Sequence, residues 1–239
     1  MCAQSDDAVE GRLYPSDTIC YGEIDGLVVV LDLTTQAYFI LNEKATLIWK
    51  LLLQMEGDLA QTSCALREPS LKSELSSLAK ECVERGFLSS SKKVRPRPCQ
   101  ARRPGAKRSF FLGLRAWWSL LSTAYVLRVK GFSRTYREYA QLPLRAAPDP
   151  EKLLPAAQKS FLRAENFFWY RSAPDDCLPR SLALFRFLRT IGVPVVHCIG
   201  GRRLPGFTMH AWVEHSGLAV LDEPGRVKEY TRLALIPYD

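Results

Sequence analysis

A basic, proline-rich stretch divides this chain and limits how it can fold. Residues 89–108, SSSKKVRPRPCQARRPGAKR, hold many cations and prolines but almost no large apolar side chain. Such a stretch cannot form a core, and its X-Pro steps favour extended backbone. We therefore predict two folded parts, residues 1–90 and 110–239, joined by a linker over residues 91–109.

The positive charge of the chain is concentrated in the same region. The 239 residues carry a net charge of +8, but residues 89–137 hold 13 basic residues and no acidic one. Residues 1–88 are acidic, with 7 basic residues against 14 acidic ones. This distribution is typical of a charged linker and helix rather than of a basic domain. A non-enzymatic protein that binds nucleic acid through residues 89–137 is one alternative. Because no nucleic-acid-binding module is recognisable, we predict no nucleic-acid partner.

The cysteines and the apolar stretches indicate where the chain resides. Seven cysteines show no CxxC spacing, and the N-terminal residues MCAQSDDAVEG lack the apolar core of a signal peptide. Both features favour free thiols in a reducing cytoplasm. The most apolar stretch contains Arg115 and Arg128, which leave no room for a membrane span, and a soluble protein is expected. No Cys/His spacing resembles a zinc site, so we predict no bound metal.

Before the linker, the residue pattern predicts a hairpin followed by helices. LVVVLDLTTQAYFIL (27–41) has two β-rich runs around a polar turn. Asn42 is a natural N-cap for the helix NEKATLIWKLLLQM. A further helix fits LKSELSSLAKECVERGFL, in which apolar residues recur at helical spacing until Gly86.

After the linker, the pattern predicts helices and then antiparallel strands. An aromatic, basic helix is expected over residues 110–139, followed by a helix across EKLLPAAQKSFLRAENFFWY and a helix Leu182–Thr190 with Cys177 at its start. Three strands are expected in PVVHCIGG, TMHAWVEH and LAVLDEP. The order is therefore a helix that carries a cysteine, followed by strands.

Cys177 stands at the predicted start of the last of these three helices. A helix N-terminus carries partial positive charge and free N–H groups, so this position favours a thiolate. The same N–H groups could bind a developing oxyanion. A buried structural cysteine is the alternative for Cys177 considered alone.

The last two strands supply an imidazole and a carboxylate. His210, Trp212 and Glu214 share one face of TMHAWVEH. A three-residue loop over residues 215–217 would pair Glu214 with Leu218 and set His210 directly opposite Asp222. A two-residue loop would instead set Asp222 opposite Ala211, on the other face. We predict the three-residue loop.

Three features of this region resemble the transglutaminase-like cysteine proteases of lasso peptide biosynthesis, the B proteins. They are the motif D-x-C-L-x-R-S-L-A-L around Cys177, the motif H-A-W-V-E from His210, and the later Asp222. The resemblance implies a papain-like fold and removal of the leader from a ribosomally made precursor. It also implies the roles: Cys177 attacks the peptide carbonyl, His210 moves the proton, and Asp222 orients His210.

The run AYFILNEKATLIWKLL, followed by a helix ending in ERGFL, resembles the RiPP recognition element, a winged-helix-like domain. With the peptidase motifs, it implies the α+β architecture of fused B proteins: recognition element, linker, peptidase. In this family the leader adds as a strand to the hairpin edge and lies against the last helix. The resemblance therefore makes the strand Gln36–Leu41 and the helix 71–85 the leader site, with Tyr38, Phe39, Ile40 and Leu78 as contacts. Packing is the alternative role for Tyr38 and Phe39.

The resemblance further implies two partners, the lasso precursor peptide and an asparagine-synthetase-like cyclase. No phosphate-binding GxxxxGK[ST] motif is present. We therefore predict no cofactor in this chain, and any ATP requirement would enter through the cyclase. Two alternatives share the predicted fold: an acyltransferase or transglutaminase that uses the same three residues, and a non-catalytic leader-binding protein.

Overall fold

The computed structural model describes residues 11–92, 111–144, 147–167, 177–203 and 206–237. The fold is a mixture of helices and strands, as the sequence predicts. The chain divides into two compact units, Met1–Arg95 and Pro96–Asp239. The predicted linker over residues 91–109 lies almost wholly outside the described residues, so its boundaries and extended backbone stay predictions.

The described part of the first unit combines small antiparallel sheets with three helices. Its elements in chain order are β1 (Tyr14–Pro15), β2 (Ile19–Ile24), β3 (Leu27–Asp32), β4 (Tyr38–Ile40), α1 (Glu43–Gln54), α2 (Leu59–Ala65), α3 (Pro69–Glu84) and β5 (Leu88–Ser89). One sheet has the order β2-β3-β4, and β1 pairs with β5. The predicted hairpin is therefore present. Strand β2, which was not predicted, pairs with β3 as a third strand of this sheet.

Local sequence signals explain where the helices of this unit begin and end. The Asn42 side chain accepts a hydrogen bond from the backbone N–H of Ala45 at 2.8 Å, which confirms the predicted N-cap of α1. Gly86, just after α3, has a φ of 74°, a conformation that glycine adopts without steric cost. The core between sheet and helices includes the fully buried Trp49 and Ile48.

The second unit has five helices and four strands among its described residues. Its elements are α4 (Leu112–Lys130), α5 (Phe132–Ala140), α6 (Pro150–Phe167), α7 (Cys177–Ile191), β6 (Val196–Arg202), β7 (Thr208–His215), β8 (Leu218–Ala219), α8 (Pro224–Val227) and β9 (Thr231–Ile236). The single helix predicted over residues 110–139 is wrong. Gly131, with a φ of 74°, separates α4 from α5. No helix among the described residues is long and apolar enough to cross a membrane.

Helix α7 is the central element of the second unit. It packs against α4 and α6 and against strand β7. Leu182, Phe185, Phe187 and Leu188 are completely buried, so α7 is enclosed along most of its length. The antiparallel sheet has the order β8-β7-β6-β9. This arrangement fixes the position of the helix start relative to the sheet.

Candidate active site

Cys177 is the first residue of α7, as the sequence predicts. Its side chain is partly exposed, whereas most of the helix is buried. Pro179 lies in the first turn, where its missing N–H breaks no helical hydrogen bond. Within the described residues Cys177 therefore begins α7, and residues 168–176 lie outside them.

Contacts of Ser181 and Arg180 hold the first turn of α7 in place. The Ser181 hydroxyl donates to the carbonyl of Leu178 at 3.1 Å and lies 2.9 Å from Nε2 of His197 on β6. Because the hydroxyl has one proton, the His197 ring is the donor in the second bond. Arg180 forms an ion pair with Glu165 of α6. The helix start is thus bonded to both the sheet and a neighbouring helix.

His210 and Asp222 are in direct contact. Nε2 of His210 lies 3.1 Å from Oδ1 of Asp222. Only 10% of the His210 side chain and 15% of the Asp222 side chain are exposed. At this distance and burial, the carboxylate can fix both the orientation of the imidazole and the ring nitrogen that carries a proton.

The hairpin register that the sequence analysis predicted is wrong, although the contact it was meant to explain is present. Glu214 pairs with Ala219, and the loop has two residues instead of three. Ser216 and Gly217 both have positive φ, 50° and 78°, as a tight two-residue turn requires. Continued along this register, Asp222 would lie opposite Ala211.

The chain leaves the sheet before it reaches that position. Strand β8 ends at Ala219, and Leu221 has a φ of 64°, which redirects the backbone. This turn brings the Asp222 carboxylate to His210. The contact between Asp222 and His210 therefore depends on a backbone conformation that leucine rarely adopts. It does not depend on the predicted cross-strand pairing.

The pKa of His210 reflects its two neighbours. Burial lowers the pKa, but the hydrogen bond with Asp222, the influence of Cys177 and the charges of both groups raise it to about 9. His210 therefore contacts Asp222 directly, and both Asp222 and Cys177 raise its pKa. The raised pKa keeps the His210 imidazole protonated at neutral pH.

Two aromatic rings pack against His210. The ring centroid of Trp212 is 6.0 Å from that of His210, and the two planes are nearly parallel, at 14°. The Tyr230 ring lies 5.4 Å from His210 and also contacts Trp212. Trp212 is completely buried. The two rings therefore restrict the orientation of the imidazole.

A charged network fixes Trp212 in turn. The indole N–H donates to Glu214 at 2.7 Å, and Arg232 of β9 donates to both carboxylate oxygens of Glu214 at 2.8 Å. Gly200 of β6 lies under the indole. A Cβ atom there would come within 2.7 Å of Cη2 of Trp212 and 2.6 Å of the Thr231 carbonyl oxygen. Only glycine leaves room for this indole position.

Sequence reasoning missed Tyr230, Arg232 and Gly200. The paired glycines of CIGG were a usable signal, because glycine inside a strand indicates close approach of another group. No local pattern distinguishes Tyr230 from any other tyrosine. Its role depends on a loop and a short helix, α8, that return the chain to His210.

Burial shifts the pKa of one other histidine and of two buried cysteines. Burial lowers the pKa of His197 to about 3, so this ring stays neutral. Burial and the nearby Glu214 raise the pKa of Cys198 to about 12. Burial and Glu81 raise the pKa of Cys82 to about 11. Within the described residues, no three His, Cys, Asp or Glu side chains cluster as metal ligands would.

The four predicted leader contacts lie in the first unit but in different environments. Tyr38 and Ile40 of β4 are 43% and 44% exposed. Phe39 between them packs 5.0 Å from Phe87 and against the core. Leu78 is also partly buried against that core. Alternation along β4 thus leaves Tyr38 and Ile40 accessible and turns Phe39 toward the core. Leu78, on α3, packs against the same core.

Strand β4 has one hydrogen-bonded neighbour, β3, among the described residues, and so lies at the edge of its sheet. Such an edge offers free backbone groups to an added strand.

Comparison with known proteins gives one family and one solved structure. The model of the transglutaminase-like superfamily matches residues 117–235. The solved structure of TbiB1 in complex with the TbiA(beta) leader peptide matches at 24% sequence identity and a TM-score of 0.29, over 33% of this chain and 98% of that chain. No curated protein matches the chain significantly.

Proposed function

We propose that the chain is a cysteine peptidase that cleaves the leader from a lasso peptide precursor, because residues 117–235 match the model of the transglutaminase-like superfamily. The observation that supports this proposal is the contact of His210 with Asp222, together with the effect of Cys177 on the pKa of His210. The leader and precursor part of the proposal comes from the sequence motifs around Cys177 and His210.

In the first step, the Cys177 thiolate attacks the carbonyl carbon of the peptide bond between leader and core. The N–H groups at the start of α7 stabilise the oxyanion of the tetrahedral intermediate. Protonated His210 then gives its proton to the leaving amine, which becomes the N-terminus of the core peptide. The C–N bond breaks, and the leader stays attached to Cys177 as a thioester.

In the second step, water resolves the thioester. His210, now neutral, takes a proton from water, and the resulting hydroxide attacks the thioester carbonyl. The C–S bond breaks, the leader leaves with a free carboxylate, and the thiolate–imidazolium pair is restored. Asp222 keeps the imidazole oriented throughout and stabilises its charged form.

The first unit would hold the leader while the second unit cuts. Its exposed strand edge at β4, with Tyr38 and Ile40 accessible, can take up an extended peptide by backbone hydrogen bonding. Docking makes the encounter between the scissile bond and Cys177 intramolecular, which raises its effective concentration. An asparagine-synthetase-like cyclase is the second partner we propose, and any ATP requirement would belong to it.

The test uses the full-length protein, the precursor peptide and the cyclase, with Cys177→Ala as the variant. Because the sulfur forms the bond that replaces the peptide bond, leader release by the variant should fall to background. Cys64→Ala is the matched control, since Cys64 is an exposed cysteine of the first unit. Release by Cys177→Ala at the wild-type rate would leave only a leader-binding role.

Acyl transfer is the second candidate, favoured by the transglutaminase-like family match itself. The same thioester would then be resolved by an amine instead of water. Mass analysis of the reacted precursor separates the two reactions. Hydrolysis gives a leader with a free carboxylate, whereas transfer gives a leader bearing the mass of the added amine.

A further inference from the structure

Helix α4 is apolar on two opposite sides. One side, which includes Ala116, Leu120 and Thr123, is buried, and α4 packs against α6 and α7. The opposite side carries Leu114, Trp118, Tyr125 and Val129, which are 61%, 63%, 67% and 62% exposed. We call these four residues the outer stripe.

The members of the outer stripe form one continuous line. Their separations of four, seven and four residues correspond to whole turns of an α-helix, so the side chains lie above one another. Packing within the unit explains the buried side of α4 but not this one. A contiguous row of exposed aromatic and aliphatic side chains marks an interaction site.

The surroundings of the outer stripe are basic. Arg115 and Arg128 are exposed at its two edges, and residues 111–137 contain five basic residues and no acidic one. Two of the five, Lys130 and Arg134, pair with Glu138. The surface is therefore apolar in the middle and positively charged at the rim through Arg115 and Arg128. A partner that matches this surface has an anionic outer layer, which the arginines contact, and an apolar layer beneath it, which the outer stripe contacts.

We infer that the outer stripe binds an anionic lipid surface, with α4 lying in the plane of that surface. Tryptophan and tyrosine favour the boundary between headgroups and acyl chains, and long arginine side chains reach the headgroup phosphates. A stable protein–protein interface needs about 800 Å² from each partner, more than four side chains provide. Peripheral binding is compatible with the lack of a spanning helix among the described residues.

The test measures co-sedimentation of the full-length protein with two kinds of vesicle. One is phosphatidylcholine alone, and the other is phosphatidylcholine mixed with phosphatidylglycerol. Wild-type protein should bind the anionic vesicles, with a blue shift of tryptophan fluorescence. Trp118→Ser combined with Tyr125→Ser should weaken this binding about ten-fold or more, because the inserted aromatic area is lost.

A second variant tests the charged rim independently. Arg115→Glu combined with Arg128→Glu should also weaken binding to anionic vesicles about ten-fold or more. Matched controls come from α6. Leu162→Ser removes an exposed apolar side chain, and Lys159→Glu reverses an exposed charge. Both controls should bind like wild type, and thermal unfolding should show that all variants are folded.

Three results would overturn the inference. The first is a wild-type protein that binds neither vesicle. The second is equal binding by wild type and by the folded double-serine variant. The third is a wild-type dimer that the double-serine variant converts to monomers in light scattering, since a second copy would then cover the stripe. If the double-serine variant does not fold, vesicle binding by the double variant Arg115→Glu, Arg128→Glu decides whether the inference holds.

Discussion

At His210, opposing effects set the proton affinity of one imidazole. Burial alone would lower its pKa, as it does for His197, which falls to about 3. The hydrogen bonds with Asp222 and Cys177 outweigh burial and raise the pKa of His210 to about 9. Two histidines within one sheet thus differ because only one has a carboxylate and a sulfur as neighbours.

Replacement of Asp222 by asparagine should change the pH profile of cleavage. His210 must be protonated to act as an acid, so activity should be lost as the pH rises through about 9. Without the carboxylate the pKa falls, and the alkaline limb should move to lower pH. The rate at pH 8 should fall at least about ten-fold.

The measurement for this prediction is the rate of leader release as a function of pH. Glu223→Gln removes the neighbouring, exposed acid and should leave the profile unchanged. An alkaline limb that stays in place in Asp222→Asn would contradict the assigned role.

Gly200→Ala should destabilise the second unit. The added Cβ would meet the Thr231 carbonyl and the Trp212 ring below 3.0 Å. We expect the free energy of unfolding to fall by about 2 kcal/mol, because the strands or the indole must shift. Gly113→Ala is the control, since its Cβ meets nothing within 4 Å. Denaturant unfolding checks both, and equal stability of the two variants would refute the packing argument.

At the scale of elements, local signals predicted the presence of helices and strands better than their ends. The Asn42 cap and the hairpin of β3 and β4 are where the residues indicate. The break at Gly131 and the two-residue loop at Ser216 were missed. Both depend on a left-handed backbone conformation, and only the packing on either side decides whether a residue adopts it.

Alternation along β4 predicts different effects for adjacent residues. Phe39→Ala should lower the free energy of unfolding of the first unit by about 2 kcal/mol, because it removes the contact with Phe87 and the core. Ile40→Ala should change it by less than about 0.5 kcal/mol, because Ile40 is exposed. Denaturant titration distinguishes the two, and a reversed order would mean that β4 presents its other face.

At the scale of the whole molecule, the proposed function needs two units that act on one substrate. The leader would bind at β4 and the cut would occur at Cys177. Docking then affects catalysis through effective concentration and not through the chemistry at the sulfur. This separation can be measured, because a short substrate that lacks the leader bypasses docking.

Tyr38→Ala combined with Ile40→Ala should therefore affect two substrates differently. For the full precursor, kcat/KM should fall about ten-fold or more, through a higher KM. For a short peptide that spans only the cleavage site, it should not change. Leu47→Ala, another exposed apolar residue of the first unit, is the control. Equal losses for both substrates would argue against a docking role for β4.

The sequence by itself determined the α+β class, the hairpin of β3 and β4, and the cysteine at a helix start, because periodicity, caps and motif spacing act over a few residues. Only the tertiary structure decided how Asp222 reaches His210, since a turn at Leu221 replaces the predicted strand pairing. It also decided that Tyr230 and Arg232 support the site. Contacts between residues distant in the chain depend on backbone direction and packing, which no local pattern encodes.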